Sequence, residues 1–226
     1  MYRDNFYKLY NDTKEIDNIV DEFHKLYYYT ACINGTWRNT KWMGIPIFKN
    51  PMDMIVYQEL IYKIRPDIII ETGTKMGGSA LFFANICDNI KHGQVITVDI
   101  NKINNLRLHD RITYLNGNSV DTIIVDFIKQ RCENKKVMVI LDSDHAKDHV
   151  LKELNIYSEI VSIGSYLIVE DTNISNSPVC GIGTVGEGPL EAVLEFMGNK
   201  HGYTIDRSME KFYFTFNPMG WLKRIK

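Results

Sequence analysis

The stretch "PDIIIETGTKMGGSALFFA", residues 66–84, passes from a short apolar run through a glycine-rich turn into a second apolar segment of helical length. A short, continuous apolar run bounded by turn residues reads as a strand buried on both faces. Gly73, Gly77 and Gly78 permit positive φ and close backbone approach, and a helix starting near Gly77 presents free N–H groups to a ligand. Their spacing is G-x-x-x-G-G, which differs from the G-x-G-x-x-G turn that carries a dinucleotide pyrophosphate.

Working outward, "QVITV" (94–98), "ITYL" (112–115), "VMVI" (137–140) and "YLIV" (166–169) repeat the pattern, separated by helix-length segments. Buried runs alternating with helices imply βαβ units around a parallel sheet, so the expected fold is α/β, doubly wound and mostly parallel. "GYTIDRS" (202–208) and "KFYFTFNP" (211–218) are expected to add a terminal hairpin at the sheet edge. Upstream, Ile16, Ile19, Val20, Phe23, Leu26 and Tyr27 keep helical spacing over residues 14–30. The irregular "INGTWRNTKWMGIPIFKNP" (33–51) follows, and "MDMIVYQELIYKIRP" (52–66) reads as another helix. The expected organisation is an N-terminal helical cap or lid over residues 1–50 and one catalytic domain over 51–226.

The chain has 226 residues, 45% of them hydrophobic and 24% charged, enough for one domain with a full core. A net charge of −2 offers no basic field for nucleic acid or an anionic membrane, so neither is expected as a partner. Cys32, Cys87, Cys132 and Cys180 are scattered without a C-x-x-C pair, which fits a reducing compartment better than a disulfide framework or a zinc site. The first residues lack the apolar stretch of a signal peptide, and no run approaches membrane-spanning length. The expected location is the cytoplasm; homo-oligomerisation is left open.

In open α/β sheets ligands bind beyond the carboxyl ends of the strands. Here the first run ends at Glu71, the second at Asp99, the fourth at Asp142 and the fifth at Glu170 and Asp171. Four strands delivering carboxylates to one edge mark that edge as a site. Glu71 would repel a pyrophosphate but suits an ammonium, and Asp99 is placed to accept from ribose hydroxyls. A ligand with a nucleoside and a cationic amino-acid end satisfies both acids.

That combination resembles the class I, Rossmann-like S-adenosylmethionine-dependent methyltransferases. The likeness extends through "TWRNTKWMGIPIFKNPMDMIVYQELIYKIRPDIIIETGTKMGGSALFFA", "VILDSDH", "YLIVEDT" and "GEGPLEAVLEFM", which together resemble the bacterial family named cephalosporin hydroxylase. Despite that name, its members are similar to metal-dependent O-methyltransferases, and the resemblance spans about residues 20–225. It implies that Glu71, Gly73, Thr74, Gly78 and Ser79 line the methionine part of S-adenosylmethionine. Asp99 would bind the ribose, and Asn118 and Ser119 of "LNGNSVD" would lie near the adenine, unless they only form a turn and helix cap.

The resemblance also implies a divalent cation, Mg²⁺ or another, held by Asp142, Glu170 and Asp171, whose hard oxygens suit such an ion. The catechol-type relatives carry an amide at the last of these positions, so Asp171 adds negative charge. Asp144 is the alternative ligand, or else a cap for the helix that starts near Ala146. His145 stands where those relatives carry a catalytic lysine. Its imidazole can take the acceptor's proton near neutrality, or it orients Asp142. Trp37 and Trp42 either stack on a ligand or staple the N-terminal helix to the core. The glycines at 181, 183, 186 and 188 suit a lid loop. The expected activity is O-methylation of a small molecule or glycan, a rhamnose-like sugar first. The alternatives are a hydroxylase, as the family name says, or a non-catalytic cofactor-binding subunit. Against the hydroxylase, the strand ends carry no two-histidine, one-carboxylate triad and the chain has no haem or flavin signature.

Overall fold

The computed structural model describes residues 13–35, 37–174, 179, 186–199 and 202–226. Helix α1 (Thr13–Asn34) leads into a short strap, β1 (Lys41–Trp42) and β2 (Ile45–Pro46), closed by left-handed Met43 and Gly44. Helix α2 (Pro51–Ile64) starts cleanly because the Asn50 side chain accepts the Met52 N–H and Pro51 fills the first turn. It stops at Arg65, which is left-handed, with Pro66 next.

The expected strands then follow as β3 (Ile68–Thr72), β4 (Gln94–Asp99), β5 (Ile112–Asn116), β6 (Val137–Leu141) and β7 (Tyr166–Val169). Helices α3 (Gly78–Asn89), α4 (Thr122–Cys132) and α5 (Lys147–Tyr157) lie between them, and α6 (Pro189–Asn199), β8 (Tyr203–Ile205) and β9 (Trp221–Arg224) complete the chain. The sheet order is β5-β4-β3-β6-β7-β9-β8, with the first five strands mutually parallel and β9 antiparallel to both neighbours. The order reverses direction between β3 and β6, which opens a crevice at their carboxyl ends.

Strand periodicity divides the core. Val137, Val139 and Leu141 of β6 face α4, α5 and α6, while Met138 and Ile140 face α2 and α3. Both faces are covered, which is why these strands read as unbroken apolar runs.

The terminal hairpin differs from the expectation. β8 lies inside "GYTIDRS", but its partner is Trp221–Arg224 and not "KFYFTFNP". The aromatic residues of that segment are claimed elsewhere: Phe214 meets Phe23 and Tyr27 of α1 edge-on, and Phe216 meets Tyr28 and Trp37. Its backbone is claimed too, since the Phe216 N–H donates to Asp53 Oδ2 (2.8 Å) and not to a neighbouring strand. Trp37 is therefore a staple between α1 and the core. Trp42 likewise packs edge-on to Phe82 and donates to Asn85 Oδ1 at 2.8 Å.

Candidate active site

The crevice is floored by the turn after β3. Gly73 has φ +91°, and a Cβ there would sit 1.9 Å from the carbonyl oxygen of Asp142. The two chains leaving β3 and β6 thus touch backbone to backbone, and only glycine fits. Gly73→Ala is expected to destabilise the fold by about 3 kcal/mol or more, read as a lowered denaturant midpoint in urea. Gly78 is similarly fixed: its Cβ would lie 2.1 Å from the Pro46 carbonyl oxygen, so the strap sits directly on the start of α3.

Glu71 ends β3 with no exposure to solvent. One oxygen accepts from Thr97 Oγ1 at 2.7 Å, and Thr97 in turn lies 2.7 Å from Thr74 Oγ1. The other oxygen, Oε1, is buried without a hydrogen-bond partner. Burial pushes the Glu71 carboxyl up to about 7, against the pull of Lys49, Ser79 and Thr97. A buried acceptor with no protein donor is what an ammonium group needs opposite it. At the end of β4, Asp99 accepts the Lys75 N–H on Oδ2 and the Asn101 N–H on Oδ1, both at 2.8 Å, which fixes its carboxylate. Asn118 uses its Oδ1 to accept the Val120 N–H at 3.1 Å, as a turn residue does. Ser119 Oγ lies 3.3 Å from His149 Nε2, and the Ser119 carbonyl accepts from Tyr157 Oη at 2.7 Å.

Across the crevice, Asp142, His145 and Asp171 form a group whose ligating atoms lie within 4.8 Å of one another. His145 Nε2 is 3.2 Å from Asp171 Oδ2 and 3.8 Å from Asp142 Oδ1. Asp171 holds a left-handed backbone, φ +56°, with its N–H donated to Asn217 Oδ1. For a non-glycine residue this conformation is strained, and it sets the carboxylate beside His145. Asp144 accepts the Ala146 N–H at 2.7 Å, a turn just ahead of α5 rather than a cap, since no side chain caps the first turn of that helix. Glu170, the remaining expected ligand, is turned differently: its Oε1 takes the Tyr57 hydroxyl at 2.7 Å and the Lys49 ammonium at 2.6 Å.

Lys49 also lies 2.6 Å from Asp142 Oδ2. Sequence reading passed over it, because a lone lysine in an irregular segment normally projects into water. The available signal was the charge total: several acids at one sheet edge require a cation. Burial opposes the charge on Asp142, yet Lys49 and His145 outweigh it and hold that carboxyl below its usual range. Burial pushes Glu170 well above the carboxylate range, so of the two acids sharing one ammonium Asp142 keeps its charge. Burial also opposes the charge on His145, but the hydrogen bonds and charges of Asp142 and Asp171 prevail and push it up to about 10. The hard carboxylate oxygens of Asp142 and Asp171 suit a small divalent cation, with the His145 imidazole beside them.

These shifts fix a sign for the pH dependence of stability. Buried Asp53, beside the site, is pushed up to about 7 by burial against hydrogen bonds from Thr215, Phe216 and Asn50. Below that value folded Asp53 gains a proton that the unfolded chain still lacks, so stability rises as pH falls from about 7 towards 4. Glu71 acts in the same sense. His145, whose pKa is raised, contributes stability fully below its unfolded value, and that contribution is lost as pH rises towards 10. The melting temperature is therefore expected to be higher at about pH 5.5 than at about pH 9. A flat profile over that window would contradict the burial assigned to these groups.

The lid-loop glycines at 181 and 183 lie outside the described residues. Cys87 and Cys132 are free and buried. Among the described residues no helix is long and apolar enough to cross a membrane.

Residues 34–225 match the family described as Rhamnosyl O-methyltransferase/CmcI. The Rhamnosyl O-methyltransferase of Mycobacterium leprae (strain TN) is 37% identical over 219 residues, covering 92% of this chain and 91% of that relative. The protein of the same name from Mycobacterium tuberculosis (strain ATCC 25618 / H37Rv) is 38% identical over 218 residues, covering 92% and 86%. A solved CmcI structure with Mg and SAM shares the fold with a TM-score of 0.64 at 19% identity, over 84% of this chain and 78% of that one. Matched by one family from the end of α1 to its penultimate residue, the chain belongs to the Rhamnosyl O-methyltransferase/CmcI family.

Proposed function

We propose that this protein is an S-adenosylmethionine- and divalent-metal-dependent O-methyltransferase that methylates a hydroxyl of a rhamnose-like sugar or glycan. The observation that carries the chemistry is the meeting of Asp142, Asp171 and His145 across the crevice from the unpartnered buried oxygen of Glu71. The acceptor class rests on relatives named as rhamnosyl O-methyltransferases that align over nearly the whole chain.

Glu71 binds the cofactor's ammonium through Oε1, and Asp99, fixed by two backbone N–H groups, accepts from its ribose. Asp142 and Asp171, with the second oxygen of Glu170, would hold the divalent ion, which when bound supplies positive charge beside the acceptor hydroxyl as its proton leaves. His145, relieved of its own proton once that charge offsets the pull of Asp142 and Asp171, would take the acceptor's proton on Nε2 while the hydroxyl oxygen gains the methyl group. Tyr57 stays a phenol, since burial and Glu170 raise its pKa well above the usual value, and it keeps Glu170 oriented. Holding the acceptor oxygen against the methyl carbon is the remaining contribution, one of proximity and orientation.

The 1–50 segment belongs to this reading as a cap whose last residues enter the site through Lys49, with residues 51–226 as the catalytic domain. Free, buried Cys87 and Cys132 support a reducing, cytoplasmic setting.

The test is methyl transfer from labelled S-adenosylmethionine to a rhamnoside with Mg²⁺ present. Labelled methyl ether and S-adenosylhomocysteine are expected in equal amounts, and transfer should stop with excess chelator. Calorimetry that detects no S-adenosylmethionine binding, with or without Mg²⁺, would sink the reading. Glu71→Gln is expected to weaken S-adenosylmethionine binding by about tenfold, because the ammonium loses its charged partner. Unchanged affinity would move the methionine end away from Glu71.

A further inference from the structure

Lys49 is the least expected member of the site. Its side chain is 3% exposed, and its ammonium stands 2.6 Å from one oxygen of Asp142 and 2.6 Å from one oxygen of Glu170. It is not a flexible surface lysine that has folded inward. Phe48 before it is left-handed (φ +49°), and Asn50 after it caps α2, so the backbone that delivers it is pinned on both sides. Its two partners come from the ends of adjacent strands, β6 and β7. The cation therefore ties the N-terminal segment to both halves of the acid cluster.

The charge balance gives this position a meaning. Asp142, Glu170 and Asp171 carry three negative charges when ionised. Lys49 already offsets part of that charge through Asp142 and Glu170, so a divalent ion that binds the same acids meets a less negative cluster than the carboxylates alone would make. An ammonium bonded to two carboxylates is a poor proton acceptor, so Lys49 does not compete with His145 for that role.

We propose that Lys49 is the fixed counter-ion of the metal cluster: it shares Asp142 and Glu170 with the divalent ion, and its positive charge limits how tightly that ion is held. This rests on the metal-dependent reading above. Two cations drawing on the same carboxylates repel each other at short range in a poorly screened site. Lys49 thus keeps the acids together without a metal and keeps a bound metal exchangeable.

The experiment compares wild type, Lys49→Met and Lys49→Arg by titrating MnCl2 into each protein calorimetrically and by thermal melts in EDTA and in Mn²⁺. Lys49→Met fills much the same space without charge. It is expected to bind Mn²⁺ about tenfold more tightly than wild type, to melt lower in EDTA, and to recover in Mn²⁺. Lys49→Arg keeps the charge and should stay near the wild-type affinity, whereas a purely space-filling role would make the two variants alike. Should Lys49→Met fold only with Mn²⁺ present, the EDTA concentration that strips the ion is the readout; a higher requirement than wild type supports the proposal and an equal or lower one overturns it. Wild-type binding with Lys49→Met no tighter overturns this inference alone. Absence of Mn²⁺ binding by all three proteins overturns the metal-dependent function as well.

Discussion

Asp142→Asn should lower methyl transfer by about 10³-fold, roughly 4 kcal/mol of transition-state stabilisation. Asp142 is engaged on every side in the crevice. One carboxylate oxygen pairs with Lys49, the other faces His145 Nε2, and its backbone carbonyl is pressed against Gly73. Asparagine keeps the volume and an acceptor for Lys49, so the backbone crossing survives and the loss reports on charge. Mn²⁺ affinity should fall with activity, because a neutral amide is a weaker partner for a hard cation. The measurement is kcat/KM at saturating S-adenosylmethionine and Mg²⁺, with a melting curve to confirm folding. Full activity in a folded Asp142→Asn protein would remove the metal from the mechanism.

Much of this was legible in the sequence because strand ends are legible. "VMVI" and "YLIV" are buried on both faces, so the charged residues that follow them mark the sheet edge, where Asp142 and Asp171 meet while Glu170 stays buried. What sequence could not show was how side chains turn once they arrive. Glu170 and Asp171 are neighbours in the chain, yet the left-handed backbone of Asp171 sends one carboxylate to His145 while Glu170 turns to Lys49 and Tyr57. Lys49 was invisible for a related reason. Its role depends on contacts with residues about 90 and 120 positions away, and nothing in "IFKNPMD" states them. The "KFYFTFNP" segment misled because alternating aromatic residues signal a strand only when the backbone is free to pair. Here Asp53 and α1 claim the segment first, and the shorter, more charged "WLKR" takes the sheet edge.

The described residues ahead of α2 reach the site itself. Helix α1 is stapled to Phe214 and Phe216, the strap rests on Gly78 at the start of α3, and the end of the segment delivers Lys49 to the acids. These contacts reach different elements of the fold, so truncating the segment would remove a charge from the site along with the packing of α1.

His145→Ala should cost about 10²- to 10³-fold in kcat while leaving Mn²⁺ binding largely intact. Among the described residues at this edge the imidazole is the group placed for the acceptor's proton: Lys49 is bonded to two carboxylates, Tyr57 stays protonated, Asp144 is committed to the Ala146 N–H, and Glu71 is given to the cofactor's ammonium. Asp142 and Asp171 raise the pKa of His145 because their charges face it directly. A cation drawn to the same carboxylates would offset that pull and return the ring towards the range where it accepts protons. Base strength at His145 would then depend on how far Asp142 and Asp171 are neutralised by another partner. Two readouts separate this role from simple positioning. Added imidazole should restore part of the activity of His145→Ala by standing in for the lost ring, and His145→Gln, which preserves hydrogen bonding but not basicity, should be as impaired as alanine. Activity in His145→Gln within about threefold of wild type would assign the ring to orientation and leave the acceptor's proton to bulk water.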